Sequence, residues 1–293
     1  TARILPTDVV IPPKIYDTPE ARIEMARYIE GAEMIDRRLG ETRELIKEYL
    51  DPHNTLVVYT SDHGMPWPFA KWSLYETGIR TPFIAAWPGK IKPNTTTDAK
   101  ISWIDFIPTL IDLAGGDVPR TIDGKSFSKV LIGEAEHHRD RIFATHKGDN
   151  EKNVYPIRSV RVGDWKLILN LHPEFAYTTH TDVWATETPR NDKHWAHAGH
   201  HWESYLKAAK TDPAAAAFLR NYHSNPAEEL YNLEADPFEE KNLAGSSEHS
   251  AKLEELRALI EKRMAEVHDD KALSGPPRLL TDFPIPSPAE KGR

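Results

Sequence analysis

The sequence predicts an α/β protein: part of a mixed sheet flanked by helices, followed by a small antiparallel sheet with a C-terminal helix. Three observations predict it. A long amphipathic segment ends at Asp51-Pro52 and leads into an unbroken apolar run, residues 56–59, with a second apolar run at 82–87 after a loop. Helix, strand, loop, strand is α/β layering. Beyond residue 140, short β-prone runs alternate with turn residues, as in an antiparallel sheet. Finally, Leu253, Leu256, Leu259, Ile260, Met264 and Val267 recur on one face of a helix expected over 249–267.

Residues 1–6 contain no apolar core of a signal peptide, and no methionine opens the chain, so the sequence reads as starting in the middle of a longer protein. Val9-Val10-Ile11-Pro12-Pro13 reads as extended, because prolines and the residues before them avoid helix. Thr18-Pro19-Glu20 opens a helix with a capping hydroxyl, a proline in the first turn and an acid near the positive end of the dipole. Met25, Tyr28, Ile29, Ala32, Ile35, Leu39, Leu45, Ile46 and Tyr49 form its apolar stripe, expected to cover a sheet; Gly31 and Gly40 mark close packing or a break. The run at 56–60 is expected to be a strand buried on both faces of a parallel sheet.

A second helical unit spans 99–116, with a break near Asp105 and Pro108 in the first turn after it. Asp105 and Asp123 read as structural. Composition turns charged at 134–140, which sets a boundary: an α/β part over 1–138, an α+β part over 139–273, and an extended Pro-rich tail over 274–293. Gly163-Asp164, between alternating runs, predicts a hairpin. Residues 172–201, with His180, His194, His197, His200 and His201, read as an irregular insertion beside a cleft, since their spacing fits no zinc pattern.

Composition excludes several classes. The chain has 293 residues and a net charge of −8, which argues against a generally cationic nucleic-acid binder. No apolar run is long enough to span a membrane. With no cysteine there is no disulfide, thiolate metal site or cysteine nucleophile within the chain.

The chemistry concentrates after the first strand. Asp62 and His63 are expected at its carboxyl end, where open α/β sheets place their ligands. Adjacent carboxylate and imidazole can bind a metal or handle protons; Asp-His-Gly is equally an ordinary turn. The following loop holds one lysine, Lys71, among aromatics and prolines: either a surface residue or a fixed cation for an anionic group.

Asp62-His63-Gly64, Lys71 nine residues later, and Tyr75-Glu76-Thr77-Gly78-Ile79-Arg80-Thr81-Pro82 together resemble the sulfatase family of the alkaline-phosphatase superfamily. Ile122-Asp123-Gly124-Lys125-Ser126-Phe127 and the segment 229–244, with Leu230-Tyr231-Asn232-Leu233 and Asp236-Pro237, are similar to further segments of that family. Tyr155-Pro156-Ile157-Arg158-Ser159-Val160, with Asn170-Leu171, is more similar to the sulfamidase (heparan N-sulfatase) subgroup than to arylsulfatases. The resemblance implies that Asp62 and His63 are metal ligands, that Lys71 holds the sulfate, and that His146 and Arg158 are candidates for substrate contact, an ion pair being the alternative for Arg158. It favours Ca²⁺ as the metal, with Mg²⁺ or Mn²⁺ as alternatives.

The family's nucleophile, a formylglycine made in a (Cys/Ser)-x-Pro-x-Arg motif, has no counterpart here. The resemblance therefore implies the C-terminal portion of a sulfatase acting on sulfated saccharides of heparan type. The formylglycine is expected outside this chain, in a missing N-terminal segment or a companion chain, and this chain alone is expected to be catalytically incomplete. A phosphodiester or phosphonate monoester hydrolase, and a non-catalytic glycan-binding partner chain, are the alternatives. The absence of cysteine points to a bacterial rather than a lysosomal protein; a periplasmic or secreted location is expected of it, though the chain carries no signal peptide.

Overall fold

The structure, a computed structural model, describes residues 4–148, 153–182 and 200–282. Residues 1–3, most of the histidine-rich insertion with His194 and His197, and the tail from 283 lie outside the described residues.

Helix α1 (Pro19–Tyr49) starts where its cap signals place it: the Thr18 hydroxyl accepts from the Ala21 amide at 3.1 Å, and Pro19 fills the first turn. The helix runs unbroken through Gly31 and Gly40, and a side chain at either would meet nothing within 4 Å. These glycines mark neither a break nor close packing. Only Ala21, Met25 and Ala26 are buried. They pack not on a sheet, as the stripe predicts, but towards helix α5 (His200–Ala208), where the Thr18 and Ser204 hydroxyls lie 2.7 Å apart.

Strand β1 (Val57–Thr60) pairs with β2 (Phe83–Ala86), antiparallel, in the register Val57 to Ala86 and Thr60 to Phe83. This corrects the expectation of a doubly buried strand in a parallel sheet: β1 is half-buried at every position, and β2 alternates. The reason lies in the connection. The chain turns back through a compact loop that contains the short helix α2 (Glu76–Ile79), and it re-enters beside β1 in the opposite direction. Helix α3 (Phe106–Leu113) follows a 3-10 turn with a Ser102–Asp105 capping box, which accounts for the break near Asp105. Asp105 is fully buried. It accepts from the Ser102 and Lys125 amides and is bound by the Arg139 guanidinium, so it is structural, as expected. Helix α4 (Ser128–Leu131) closes this part.

Strands β3 (Arg141–His146), β4 (Ile157–Val162), β5 (Trp165–Asn170) and β6 (Glu228–Asn232) form one antiparallel sheet in that order. β4 and β5 are joined at Gly163-Asp164, where Gly163 takes φ +59°, the left-handed region that a two-residue hairpin loop needs. Helix α6 (Pro213–His223) packs on α5, and α7 (Ser250–Glu266) covers one face of β4 and β5. Leu253, Leu256 and Ile260 of α7 meet Val160, Leu167 and Leu230 of the sheet, the smaller of two cores.

The larger core is aromatic and draws on both sides of residue 138. Phe69 and Tyr75 come from the β1–β2 connection; Tyr155, Tyr177, Tyr205 and Tyr222 come from the later part. Phe69 stands edge-on to Tyr222 at 5.5 Å, and Tyr177 edge-on to the same ring at 5.3 Å, the arrangement that aromatic quadrupoles prefer. The start of the tail docks in an extended form: the Ala176 amide donates to the Arg278 carbonyl at 2.8 Å, and Phe175 bridges Leu279. Among the described residues no helix is long and apolar enough to cross a membrane.

Candidate active site

Strand β1 delivers Asp62 and His63 into a tight turn at its carboxyl end. The Ser61 hydroxyl donates to the His63 carbonyl at 2.8 Å, and the His63 amide donates to Asp62 Oδ1 at 3.0 Å. Gly64 is required here: its amide donates to the Gly78 carbonyl at 2.8 Å, and a Cβ would sit 1.8 Å from the Thr77 carbonyl oxygen. The turn is thereby sealed to helix α2.

His63 Nδ1 lies 2.7 Å from the Gly64 carbonyl, so Nδ1 carries a proton, and the neutral form of the ring presents its lone pair at Nε2. That Nε2 is 3.3 Å from Asp62 Oδ2. Two lone-pair bearers converging at this distance repel unless a cation or a proton lies between them, and the Asp62 side chain is 83% exposed, open to an incoming ion. Oxygen and imidazole nitrogen form a donor pair suited to a divalent metal. They supply two ligands; among the described residues no group of three or more His, Asp or Glu side chains comes together to hold an ion.

Lys71 sits on the same connection. Its amide donates to the Met65 carbonyl at 3.0 Å, and the loop is closed by Ser73 Oγ to the Ala70 carbonyl at 2.7 Å and Thr77 Oγ1 to the Phe69 carbonyl at 2.6 Å. Phe69 and Trp72, two bulky residues, bracket Lys71 with φ +58° and +68°. Each such conformation costs roughly 1–3 kcal/mol and persists only where surrounding contacts dictate it. Among the described residues no carboxylate lies within ion-pair distance of Lys71; its ammonium rests 4.9 Å from the centre of the Trp72 ring.

Beneath this loop lies a buried charge cluster that the sequence did not reveal. Glu76 accepts from Lys166 Nζ at 3.0 Å and from Arg161 at 2.6 Å; Lys166 also reaches Glu239 at 2.9 Å, and Glu239 accepts the Glu76 amide at 2.6 Å. Lys166 is 0% exposed. Alongside, Glu229 accepts from Tyr75 at 2.5 Å, Tyr231 at 2.7 Å and Asn170 at 2.8 Å. Lys14 places its ammonium 3.5 Å from the centre of the Tyr75 ring. Three carboxylates thus face three cations. Burial pushes Glu76 up, but Lys166 and Arg161 outweigh it and hold the carboxyl below its usual range. For Glu239, burial wins over Lys166 and the carboxyl is raised. Burial lowers Lys14 to about 8, against the pull of Glu239 and Glu229.

His146 ends β3, half-buried, with Nε2 2.7 Å from Asn153 Oδ1. Asn153 donates onward to the Thr178 carbonyl, and the neighbouring Tyr177 hydroxyl points at the Lys71 carbonyl, 3.5 Å away. Arg158 is 2% exposed; Asp269 binds its Nε and Nη2, and Nη1 donates to the His146 and Ile157 carbonyls. Its guanidinium is therefore committed to an ion pair and to the end of β3. The segment 177–182 was read only as part of an insertion. It packs on the site loop, where His180 stands edge-on to Trp72 at 4.7 Å; from helix α5, His201 stacks on Trp67 at 4.5 Å. Asp182, buried below it, accepts from the Thr179 amide and the Tyr222 hydroxyl.

The family model for the C-terminal region of N-sulphoglucosamine sulphohydrolase matches residues 62–193. An ulvan-active sulfatase of Formosa agariphila is 30% identical over 79% of this chain and 41% of its own length. The human N-sulphoglucosamine sulphohydrolase is 27% identical over 90% of this chain and 52% of its own. A solved structure of a 2-O glycosaminoglycan sulfatase superposes with a TM-score of 0.64 over 90% of this chain and 48% of that one, at 22% identity. The chain belongs to the sulfatase family and corresponds to a C-terminal portion. It spans about half the length of the relatives it matches.

Two outcomes follow. Lys166→Met should lower stability by about 3–5 kcal/mol, because buried Glu239 loses its ion-pair partner and Glu76 keeps only Arg161; a thermal melt unchanged from wild type would show that the cluster holds nothing. Asp269, bound by Arg158, is pulled down to about 2. A depressed carboxyl stabilises the fold above its unfolded value, about 3.9, and that contribution is lost as pH falls towards 2. The melting temperature should drop across that window, and Asp269→Asn should flatten the drop.

Proposed function

We propose that this chain is the C-terminal portion of a hydrolase that cleaves a sulfuric ester or sulfamate on a sulfated saccharide, of the heparan-type N- or O-sulfoglucosamine class. The observation that carries the proposal is the pairing of an exposed Asp62–His63 donor set with a lysine on the same braced loop that meets no carboxylate among the described residues. Asp62 Oδ2 and His63 Nε2 would hold a divalent cation, most simply Ca²⁺ by family resemblance, with Mg²⁺ and Mn²⁺ compatible with the same oxygen donor. When bound, that cation would neutralise charge on the sulfate oxygens. Lys71 would bind a nonbridging oxygen from the other side as a point charge. His146 would reach the saccharide at the rim, and Arg158 would act on substrate through the β3 end that it holds.

The formylglycine and the remaining metal ligands would come from polypeptide outside this sequence, either a preceding segment or a companion chain. Two features support such a neighbour. Among the described residues β1 and β2 each keep an unpaired edge, which exposed sheets rarely leave open. Ile84 on β2 is 58% exposed, Ile107 on α3 59% and Tyr49 on α1 71%. Alone, the chain would not turn over substrate. The lack of cysteine fits a bacterial rather than a lysosomal protein.

The test uses the protein made from its complete reading frame, assayed on N-sulfoglucosamine, on O-sulfated glucosamine and on a paired phosphonate monoester. Asp62→Ala, His63→Ala and Lys71→Met should each cut sulfate or sulfamate hydrolysis by about 10²-fold or more, while the melting temperature is kept. Faster cleavage of the phosphonate would transfer the assignment to a phosphonate hydrolase. Retained glycan affinity with no turnover would transfer it to a binding partner.

A further inference from the structure

The reading of Lys71 as an anion anchor leaves open what holds its ammonium in place. Lysine has four rotatable side-chain bonds, and no carboxylate among the described residues restrains this one. Consecutive side chains in strands and helices diverge, so a lysine and the residue after it do not normally touch. Here they do, because Trp72 takes φ +68°. The left-handed turn swings the indole back, so that its ring centre lies 4.9 Å from Lys71 Nζ, within cation–π range.

The indole is itself located. His180 meets it edge-on at 4.7 Å and 85°. On the far side of the turn, the Ser73 amide and hydroxyl both donate to the Ala70 carbonyl, at 2.9 and 2.7 Å, which fixes the backbone on either side of Lys71 and Trp72. A bulky residue is kept in a conformation suited to glycine or asparagine, and the geometry it gains is a π face beneath a cation. Strained backbone of this kind is found where function holds it.

We propose that Trp72 is a positioning residue for Lys71: its indole face, held by the left-handed turn and by His180, fixes the ammonium where an anionic sulfo group docks. The inference rests on the functional reading above, since it assigns Lys71 the sulfo group. An aromatic face attracts a cation without neutralising it. A carboxylate in the same place would cancel the charge that the substrate needs, so the indole restrains the lysine and leaves its charge available.

The experiment measures the affinity of inorganic sulfate for the complete-frame protein, by calorimetry and by competitive inhibition of hydrolysis, across Trp72→Phe, Trp72→Leu, Lys71→Met and wild type. Trp72→Phe, which keeps a π face, should stay within about twofold of wild type. Trp72→Leu, which keeps apolar bulk alone, should weaken sulfate binding by about three- to tenfold, at a melting temperature equal to that of the Phe variant. Tetrafluoro-tryptophan placed at position 72 keeps the shape and drains the negative face; it should weaken binding as Leu does even if the Leu variant folds poorly. Unchanged sulfate affinity with the fluorinated ring, alongside loss in Lys71→Met, would overturn the positioning role and leave the functional reading intact. Unchanged affinity in Lys71→Met would overturn both.

Discussion

The buried ion cluster around Lys166 constrains the rest of the structure. Lys166 lies on β5 at the centre of the four-stranded sheet; its two carboxylate partners come from α2 and from the Asp-Pro turn after β6. An unpaired charge at a fully buried position would be costly by several kcal/mol, so the three elements are obliged to meet. That obligation fixes where Tyr75 and Glu76 stand, and through them where α2 stands. Gly64 is bonded to Gly78 at the end of α2, so the Asp62–His63 turn is located by the same cluster at one remove. The site loop is thus referenced to the antiparallel sheet of the later part as well as to its own strands.

The two cores divide the work differently. The aliphatic core beneath α7 is a helix packed on a sheet and involves only the later part of the chain. The aromatic core is built from tyrosines, phenylalanine and tryptophan whose rings meet edge to face, and it joins the β1–β2 connection to α5, α6 and the segment 177–182. Several of those tyrosines carry hydroxyls to buried carboxylates: Tyr75 and Tyr231 to Glu229, Tyr222 to Asp182. Aromatic residues supply both apolar area and a polar tip, which lets one set of side chains fill the interior and satisfy the charges within it.

Much of this was legible in the sequence, for local reasons. The Thr18-Pro19-Glu20 cap, the Gly163-Asp164 hairpin and the final helix are written in short-range chemistry, and the structure places each within a residue or two of its expected position. The sulfatase motifs singled out Asp62, His63 and Lys71 as candidates, and the structure sets all three on the one β1–β2 connection. What stayed hidden depended on partners far along the chain. An apolar run reports burial tendency and not strand direction, so β1 was expected in a parallel sheet. Glu239 stands in Phe238-Glu239-Glu240-Lys241, which reads as a solvated turn; only its contact with a lysine on β5 reveals a buried role. Arg158 fitted an ion pair slightly better than a substrate contact, and the partner itself, Asp269, lies more than a hundred residues later. Nothing in a tryptophan codon announces a left-handed backbone.

Helix α1 has a consequence for local stability. Its 31 residues extend for about 46 Å; its fully buried residues fall within the first eight of them, and half-buried Ile29, on the aromatic core, and Glu30, which accepts the Ile4 amide at 3.1 Å, extend the anchored part to the twelfth. The remainder is held by backbone bonds and exposed i,i+3 pairs such as Arg38–Glu41 and Lys47–Glu44, each a small contribution. One continuous helix is therefore two cooperative units: an N-terminal segment that opens only with the aromatic core, and a distal segment that frays on its own. Amide exchange along α1 in this chain would step from slow to fast just beyond Glu30, without any kink to mark the place.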